Sequence, residues 1–312
     1  MAQDSDRRAV LALLFVTIIW GWTFSWMKEA IETASAQLGD AMPLVVGVFM
    51  TVRFGVAALV MPFVLKSARE GVTRWAVWRD GGLLAALLLG GFLLQMFGLE
   101  SVGPAVSAFL TSLYVAFTAL LTSIILRKWP GRVAGFGVAL VTVGAAYISG
   151  PPQLSFDWPE WLTVFCALLF AGHIVVTDRV TRRSPPLAVA WVSFVLVAVG
   201  SVVLLAYGWS LRPDVTASAL GTLLQTPGFI RPALLAGLLG TLVALSLLTN
   251  FQKYLSPVRA AILYSLEPVW AALIALTFGN MQLDGWLLFG GGLLLLGNCW
   301  MEVWPRLARS KG

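Results

Sequence analysis

The amino-acid sequence predicts an all-α integral membrane protein of ten transmembrane helices. Three observations lead there. Of 312 residues, 59% are hydrophobic and 12% charged, with a mean hydropathy of +0.86, too little charge to cover a soluble domain of this length. The apolar residues run in blocks of roughly 18 to 23, which suits helices rather than the ~10-residue strands of a barrel. Lipid offers backbone groups no partner, so these blocks must satisfy themselves as helices. Finally, the basic residues lie in the gaps between blocks, almost all on one side once the blocks are threaded.

Taken in order, the spans are expected at 9–27, 43–65, 81–99, 104–126, 133–150, 160–177, 187–207, 232–252, 257–279 and 285–304. The first lacks a small-residue cleavage site and closes on Lys28-Glu29, so it reads as a retained helix rather than a cleaved signal. Threading places 17 of the 21 Lys and Arg residues on one side; Lys28, Arg212 and Arg231 fall on the other, and Arg53 lies within a span. Positive charge stays on the cytoplasmic side. Both termini are therefore expected in the cytoplasm, with the chain in a cell inner membrane. This bias also accounts for the net charge of +6 without a nucleic-acid partner. The long outer connector, Gly208 to Arg231, carries Pro213, Pro227 and a mildly amphipathic stretch from Val215 to Leu224. It is read either as a surface helix or as a plain loop. Cys166 and Cys299 fall inside apolar segments and read as buried small residues, not a disulfide.

The chain repeats itself. Pro104, Ser112 and Leu113 of span four match Pro257, Ser265 and Leu266 of span nine at an offset of 153. The same offset carries Gly137 to Gly290 and Gly144 to Gly297 in spans five and ten. Two halves, 1–150 and 151–312, each of five spans, would insert with opposite orientations because five is odd. Such inverted five-helix repeats fit alternating access.

Several motifs add to this. They are Trp20-Gly21-Trp22-Thr23-Phe24 with Lys28, Arg53-Phe54, and Phe109-Leu110-Thr111-Ser112-Leu113-Tyr114-Val115. Span nine adds Leu255-Ser256-Pro257-Val258-Arg259-Ala260-Ala261 and Ser265-Leu266-Glu267-Pro268-Val269. In order and placement, over nearly the full length, the chain resembles the drug/metabolite transporter superfamily, EamA type. The resemblance implies two five-helix halves around a central cavity built mainly by the first four helices of each half. It also implies export of amino acids or related metabolites.

Candidate functional residues are polar groups that lipid penalises. Glu267 sits mid-span, where an ionised carboxylate costs at least a few kcal/mol unless paired, hydrated or protonated. It reads as a substrate or proton site, or as one partner of a structural ion pair. Tyr114 is its repeat mate, and Ser107, Thr111, Tyr114, Thr118 and Thr122 recur at helical spacing as one polar stripe. That stripe lines a pathway or glues helices. Tyr264 stands opposite Thr111 in the repeat. Arg53 suits carboxylate recognition or a structural pair with Glu267. His173 serves as a proton relay or a packing residue. Gln95, Asn250 and Trp20 line a cavity or fill space. The glycines Gly131, Gly135, Gly290, Gly291, Gly292 and Gly297 are expected to let helices pack closely.

No phosphate loop, zinc-protease motif or second histidine is present, so neither an enzyme nor a metal or cofactor is expected. The reading is a secondary carrier for a small organic molecule, proton-coupled or not, resident in the bilayer as a monomer or weak dimer. The alternative is a membrane scaffold or lipid-modifying protein. The topology has a direct check. Green fluorescent protein fused at the C-terminus should fluoresce, and alkaline phosphatase inserted in the 213–226 connector should be active. The reverse pattern overturns the orientation.

Overall fold

The computed structural model describes residues 2–39, 41–127, 131–147, 151, 156–278 and 284–309. The tail of the span expected at 133–150 and the last residue of that at 257–279 fall outside them. Among the described residues there is no strand. Eight helices are long and apolar enough to cross a membrane, and two further apolar helices, Arg132–Tyr147 and Gly285–Met301, are shorter.

Helix α1 (Ala2–Leu38) is 37 residues long, roughly 55 Å at 1.5 Å per residue, far beyond the expected 9–27. Lys28 does not end it. Its ammonium donates to the carbonyls of Leu99 (3.0 Å) and Glu100 (2.7 Å). There it caps the end of α3 (Trp75–Leu99), where carbonyls lack partners and the helix dipole is negative. The stop comes at Gly39, whose φ of +71° suits a residue without a Cβ.

Next come α2 (Met42–Val64), α4 (Pro104–Ser112), α5 (Tyr114–Leu126), α6 (Arg132–Tyr147), α7 (Trp158–Val180) and α8 (Pro186–Ser210). The chain ends with α9 (Ala217–Gln225), α10 (Pro227–Leu235), α11 (Ala244–Phe251), α12 (Pro257–Tyr264), α13 (Glu267–Thr277) and α14 (Gly285–Arg309). Proline in the first turn opens α2, α4, α7, α8, α10, α12 and α13, where its missing N–H costs nothing. The amphipathic stretch after α8 is a helix rather than a loop. Thr216 caps α9 by accepting from Ala219 N, and fully buried Leu223 anchors it. Between α10 and α11 the chain widens into a π-helix, Ala236–Val243.

The expected single spans at 104–126 and 257–279 are each two helices. The first breaks at Leu113 and the second at Ser265-Leu266. At each break a serine turns its hydroxyl back onto a carbonyl three residues earlier, Ser112 to Phe109 O (2.7 Å) and Ser265 to Ile262 O (2.6 Å). Both members of each bond are separated by 153 residues from their counterparts.

Helix α2 lies along α8, α3 packs on α7 and α8, and α6 pairs with α14 to one side. The α6–α14 seam rests on four glycines at two crossing points. A Cβ on Gly144 would sit 2.7 Å from Gly290 O, and one on Gly297 would sit 3.2 Å from Gly137 O. The offset of 153 exchanges these two contacts. Gly131, Gly135, Gly291 and Gly292 do not share this role, because a Cβ there meets nothing within 4 Å. Gly135, Gly291 and Gly292 point away from the seam on the same two helices, and Gly131 precedes α6. Cys166 is buried, but Cys299 is exposed on α14, contrary to the buried reading. It follows Asn298, which faces inward to bond Ser265 (3.2 Å), and one step around a helix turns it outward.

At the basic end of the bundle, Asp80 of α3 is fully buried and accepts from Arg183 (2.9 Å), Ser184 (2.8 Å) and Arg79. Arg259 bonds Asp6. The glycine seam gives a clean contrast. Gly144→Ala should lower the detergent unfolding temperature, by about 1–3 kcal/mol of overpacking. Gly292→Ala should leave it unchanged or raised.

Candidate functional site

The breaks in the fourth and ninth spans decide where the polar residues point. Thr111 and Tyr114 flank the first break, and Tyr264 and Glu267 flank the second. All four line one cavity in the middle of the bundle. Trp20 and Thr23 of α1, Arg53 of α2, and Leu88, Phe92 and Gln95 of α3 complete one side. Phe170, His173 and Ile174 of α7, with Leu245 and Leu248 of α11, complete the other. The space offers about 50 Å³ to the centres of water molecules, enough for a handful of waters. A larger ligand would need the walls to part.

Glu267 opens α13. A break just before it creates a new helix N-terminus, whose partial positive charge favours a carboxylate. Pro268, second in that helix, removes no hydrogen bond that a first turn would have made. The Tyr114 hydroxyl lies beside Glu267 without closing a well-formed hydrogen bond. Glu267 is 6% exposed, its outlook being the cavity.

Arg53 is fully buried. Its Nε donates to Thr241 Oγ1 (2.9 Å) and one Nη to Met27 Sδ (3.4 Å). The guanidinium carbon sits 4.1 Å from the centre of the Phe92 ring, a cation–π contact. Its second Nη has no partner. Arg53 and Glu267 are near enough for their charges to act on one another. Among the described residues, however, neither closes a salt bridge, so the structural pair weighed from sequence is not formed.

The rest of the wall is fixed by side chains tied to backbone. The indole of Trp20 donates to Gly240 O (3.1 Å) in the π-helix and lies 5.6 Å from the Tyr264 ring. Gln95 donates to Thr111 (3.2 Å). Tyr264 donates to Gln252 Oε1 (3.1 Å), and Gln252 donates in turn to Ile174 O (2.7 Å), next to His173.

Of the residues singled out from sequence, Trp20, Arg53, Gln95, Thr111, Tyr114, His173, Tyr264 and Glu267 meet at this cavity. Asn250 does not. The cavity side of α11 is set by Leu245 and Leu248, and Asn250 stands about 140° and 200° of helical turn from them. Trp22 is likewise turned away, stacking on Trp26 (6.2 Å). Sequence reasoning missed Thr241, Gly240 and Gln252, the groups that hold Arg53, Trp20 and Tyr264. It also missed the ring of Phe92. An alternating Gly–Leu–Leu–Gly stretch gave no sign of a π-helix. Among the described residues no group of His, Cys, Asp and Glu could hold a metal ion.

Comparison with known proteins meets this geometry from outside. Residues 7–150 and again 157–302 match the EamA-like transporter family. The chain belongs to that family. It is also 28% identical over 290 residues to an uncharacterized transporter of Archaeoglobus fulgidus, covering 92% of this chain and 83% of that one. A crystallised protein described in no more specific terms superposes with a TM-score of 0.62 over 94% of this chain and 98% of its own, at 15% identity. That likeness is one of fold. The EamA chain is thus a multi-pass membrane transporter, with a cavity at the crossing of its broken helices.

The chemistry open to such a site is binding: an anion or carboxylate at the free Nη of Arg53, a cation or proton at Glu267, and apolar matter between Leu88, Phe92, Phe170, Leu245 and Leu248. A guanidinium buried without an ion partner costs stability that an apolar side chain of similar length does not. Arg53→Met should therefore keep or raise the unfolding temperature while abolishing transport. A fall of several degrees would instead mark Arg53 as structural.

Proposed function

We propose that this chain is a secondary transporter that moves a small organic metabolite, an amino acid or related compound, across the inner membrane by alternating access. Export is the direction the family resemblance favours. The observation that carries this reading is the cavity, with an unpaired cation and an unpaired carboxylate facing it across apolar and aromatic walls. Either charge alone in a low-dielectric space costs several kcal/mol. A zwitterion offers both an opposite charge at once, which neither a simple anion nor a simple cation does.

The ten-helix arrangement as two inverted five-helix repeats, 1–150 and 151–312, belongs to the same proposal. It is supported by features related by one offset of 153 residues: the two helix breaks, the serine back-bonds that make them, the four residues flanking them, and the paired glycine crossings of α6 and α14. The shorter helices Arg132–Tyr147 and Gly285–Met301 are the fifth and tenth spans. A monomer suffices, since the cavity is complete within one chain.

Coupling to protons would run through Glu267, which bound or released a proton as the cavity opened to either side. Reconstituted into liposomes, the wild type should show counterflow of radiolabelled amino acids and accumulate them against a pH gradient. Glu267→Gln should lose the response to pH and, because the carboxylate also faces the substrate's positive group, weaken counterflow. Intact pH-driven flux in that variant removes the coupling reading, and absence of counterflow in the wild type, over a panel of amino acids and amines, removes the transporter assignment to this substrate class.

A further inference from the structure

Hydroxyls in an apolar helix usually fold back onto the carbonyl one turn earlier, which satisfies them without a second helix. This chain does so repeatedly: Thr23 to Trp20 O, Ser123 to Ala119 O, Thr181 to Thr177 O, Ser201 to Val197 O and Thr249 to Leu245 O, all at 2.7–2.8 Å. Among the described residues seven buried hydroxyls have no such partner: Thr51, Ser107 and Thr142 stand singly on α2, α4 and α6, and the other four gather on α5 and α7. On α5, the hydroxyls of Tyr114, Thr118 and Thr122 are buried with no protein partner. They are spaced by four residues, so they share one face of the helix. On α7, which packs against α5, the hydroxyl of Thr177 is also buried and unpartnered. Thr118 and Thr177 are fully buried.

The placement of these groups is directional. Tyr114 lines the cavity beside Glu267. Thr118 lies one turn beyond it and Thr122 two, toward the end of α5 at Arg127. Thr177 lies one turn beyond the cavity residue His173, toward Arg179 and Arg182. Two touching helices therefore each carry an unmet hydroxyl just past the cavity, heading for the same basic end. Helix glue does not explain them, because glue requires a partner on the facing helix. An unmet buried hydroxyl costs about 1–3 kcal/mol, and water relieves that cost.

From this we infer that the seam between α5 and α7 is a hydrated passage, lined by Tyr114, Thr118, Thr122 and Thr177, that carries protons between the basic end of the molecule and Glu267. The proton role rests on the coupling proposed above; the hydration does not. The titratable and charged groups around Glu267 are Arg53 of α2, Tyr114 of α5, Cys166 and His173 of α7 and Tyr264 of α12. Of these, Tyr114 heads the hydroxyl row.

Two measurements test it. In a background with Cys166→Ala and Cys299→Ala, Thr118→Cys and Thr122→Cys should react with methanethiosulfonate ethylammonium at least tenfold faster than Leu120→Cys, which faces lipid. Equal rates overturn the passage, whatever transport does. In liposomes, the isosteric double variant T118V/T177V should slow pH-driven uptake of a mixture of radiolabelled L-amino acids at least tenfold, while counterflow of the same mixture stays within twofold. Unchanged pH-driven uptake, or an equal loss of both activities, overturns the proton role. A wild type that performs counterflow but ignores a pH gradient defeats both the coupling reading and the proton role. The thiol labelling then still decides whether the seam is wet.

Discussion

Burying a guanidinium in the middle of an apolar bundle is the demand around which the rest of this structure is arranged. Arg53 cannot shed its charge as a lysine can, and its five donors need acceptors that lipid does not supply. The bundle answers incompletely. Thr241 takes Nε, the Met27 sulfur takes one Nη, the face of Phe92 covers the plane, and one Nη is left. Those partners come from α1, α3 and the π-helix, so three neighbours converge on the single side chain of α2. The π-helix is part of the answer. Its glycines bring the backbone against α2, where a Cβ on Gly237 would meet Arg53 O at 2.8 Å. Its wide turn also presents Gly240 O and Thr241 Oγ1 to Trp20 and Arg53, a use typical of π segments at functional sites.

The carboxylate side is managed differently. Glu267 has no cation in salt-bridge contact, and its support is a helix start made for the purpose. The Ser265 hydroxyl and the proline at 268 break the ninth span so that Glu267 stands at a new N-terminus. The matching break at Ser112 puts Tyr114 in the same position without a charge. The two halves of the cavity thus differ at equivalent points, Tyr114 against Glu267 and Thr111 against Tyr264. This is how a duplicated scaffold acquires polarity across its binding site.

Membrane residence, the polar residues that meet at the cavity and the offset of 153 were legible because lipid makes their signals simple: apolar runs, costly mid-span charges and repeated Pro–Ser–Leu punctuation. What was not legible depended on contacts across the chain. The length of α1 hinged on Lys28 reaching the end of α3, 71 residues away. The division of spans four and nine turned on where serine hydroxyls pointed. Asn250 looked equivalent to Gln95, since both are amides near span ends, yet helical phase put only one of them at the cavity. Phase through a π-helix cannot be counted at 3.6 residues per turn, so the register downstream of Ala236 was shifted in a way no periodicity reveals.

The two ends of the bundle are fastened by different chemistry. Where the two family repeats meet at the basic end, the ties are ionic: Arg183 and Ser184 on Asp80, and Arg259 on Asp6. At the opposite end they are neutral, Thr33 on Gly228 O (3.2 Å) and Gln37 on Thr226 (2.9 Å). Charge-assisted bonds are the stronger class, but Arg183 is half exposed, and water and salt weaken such a pair. The ionic end therefore holds firmly while dry and yields once solvent enters. The neutral end adds packing to those two hydrogen bonds, with α9 and Leu223 laid beside α1 and α10. At the centre of the ionic end Asp80 is fully buried, and three partners, Arg79, Arg183 and Ser184, offset the cost of burying its charge.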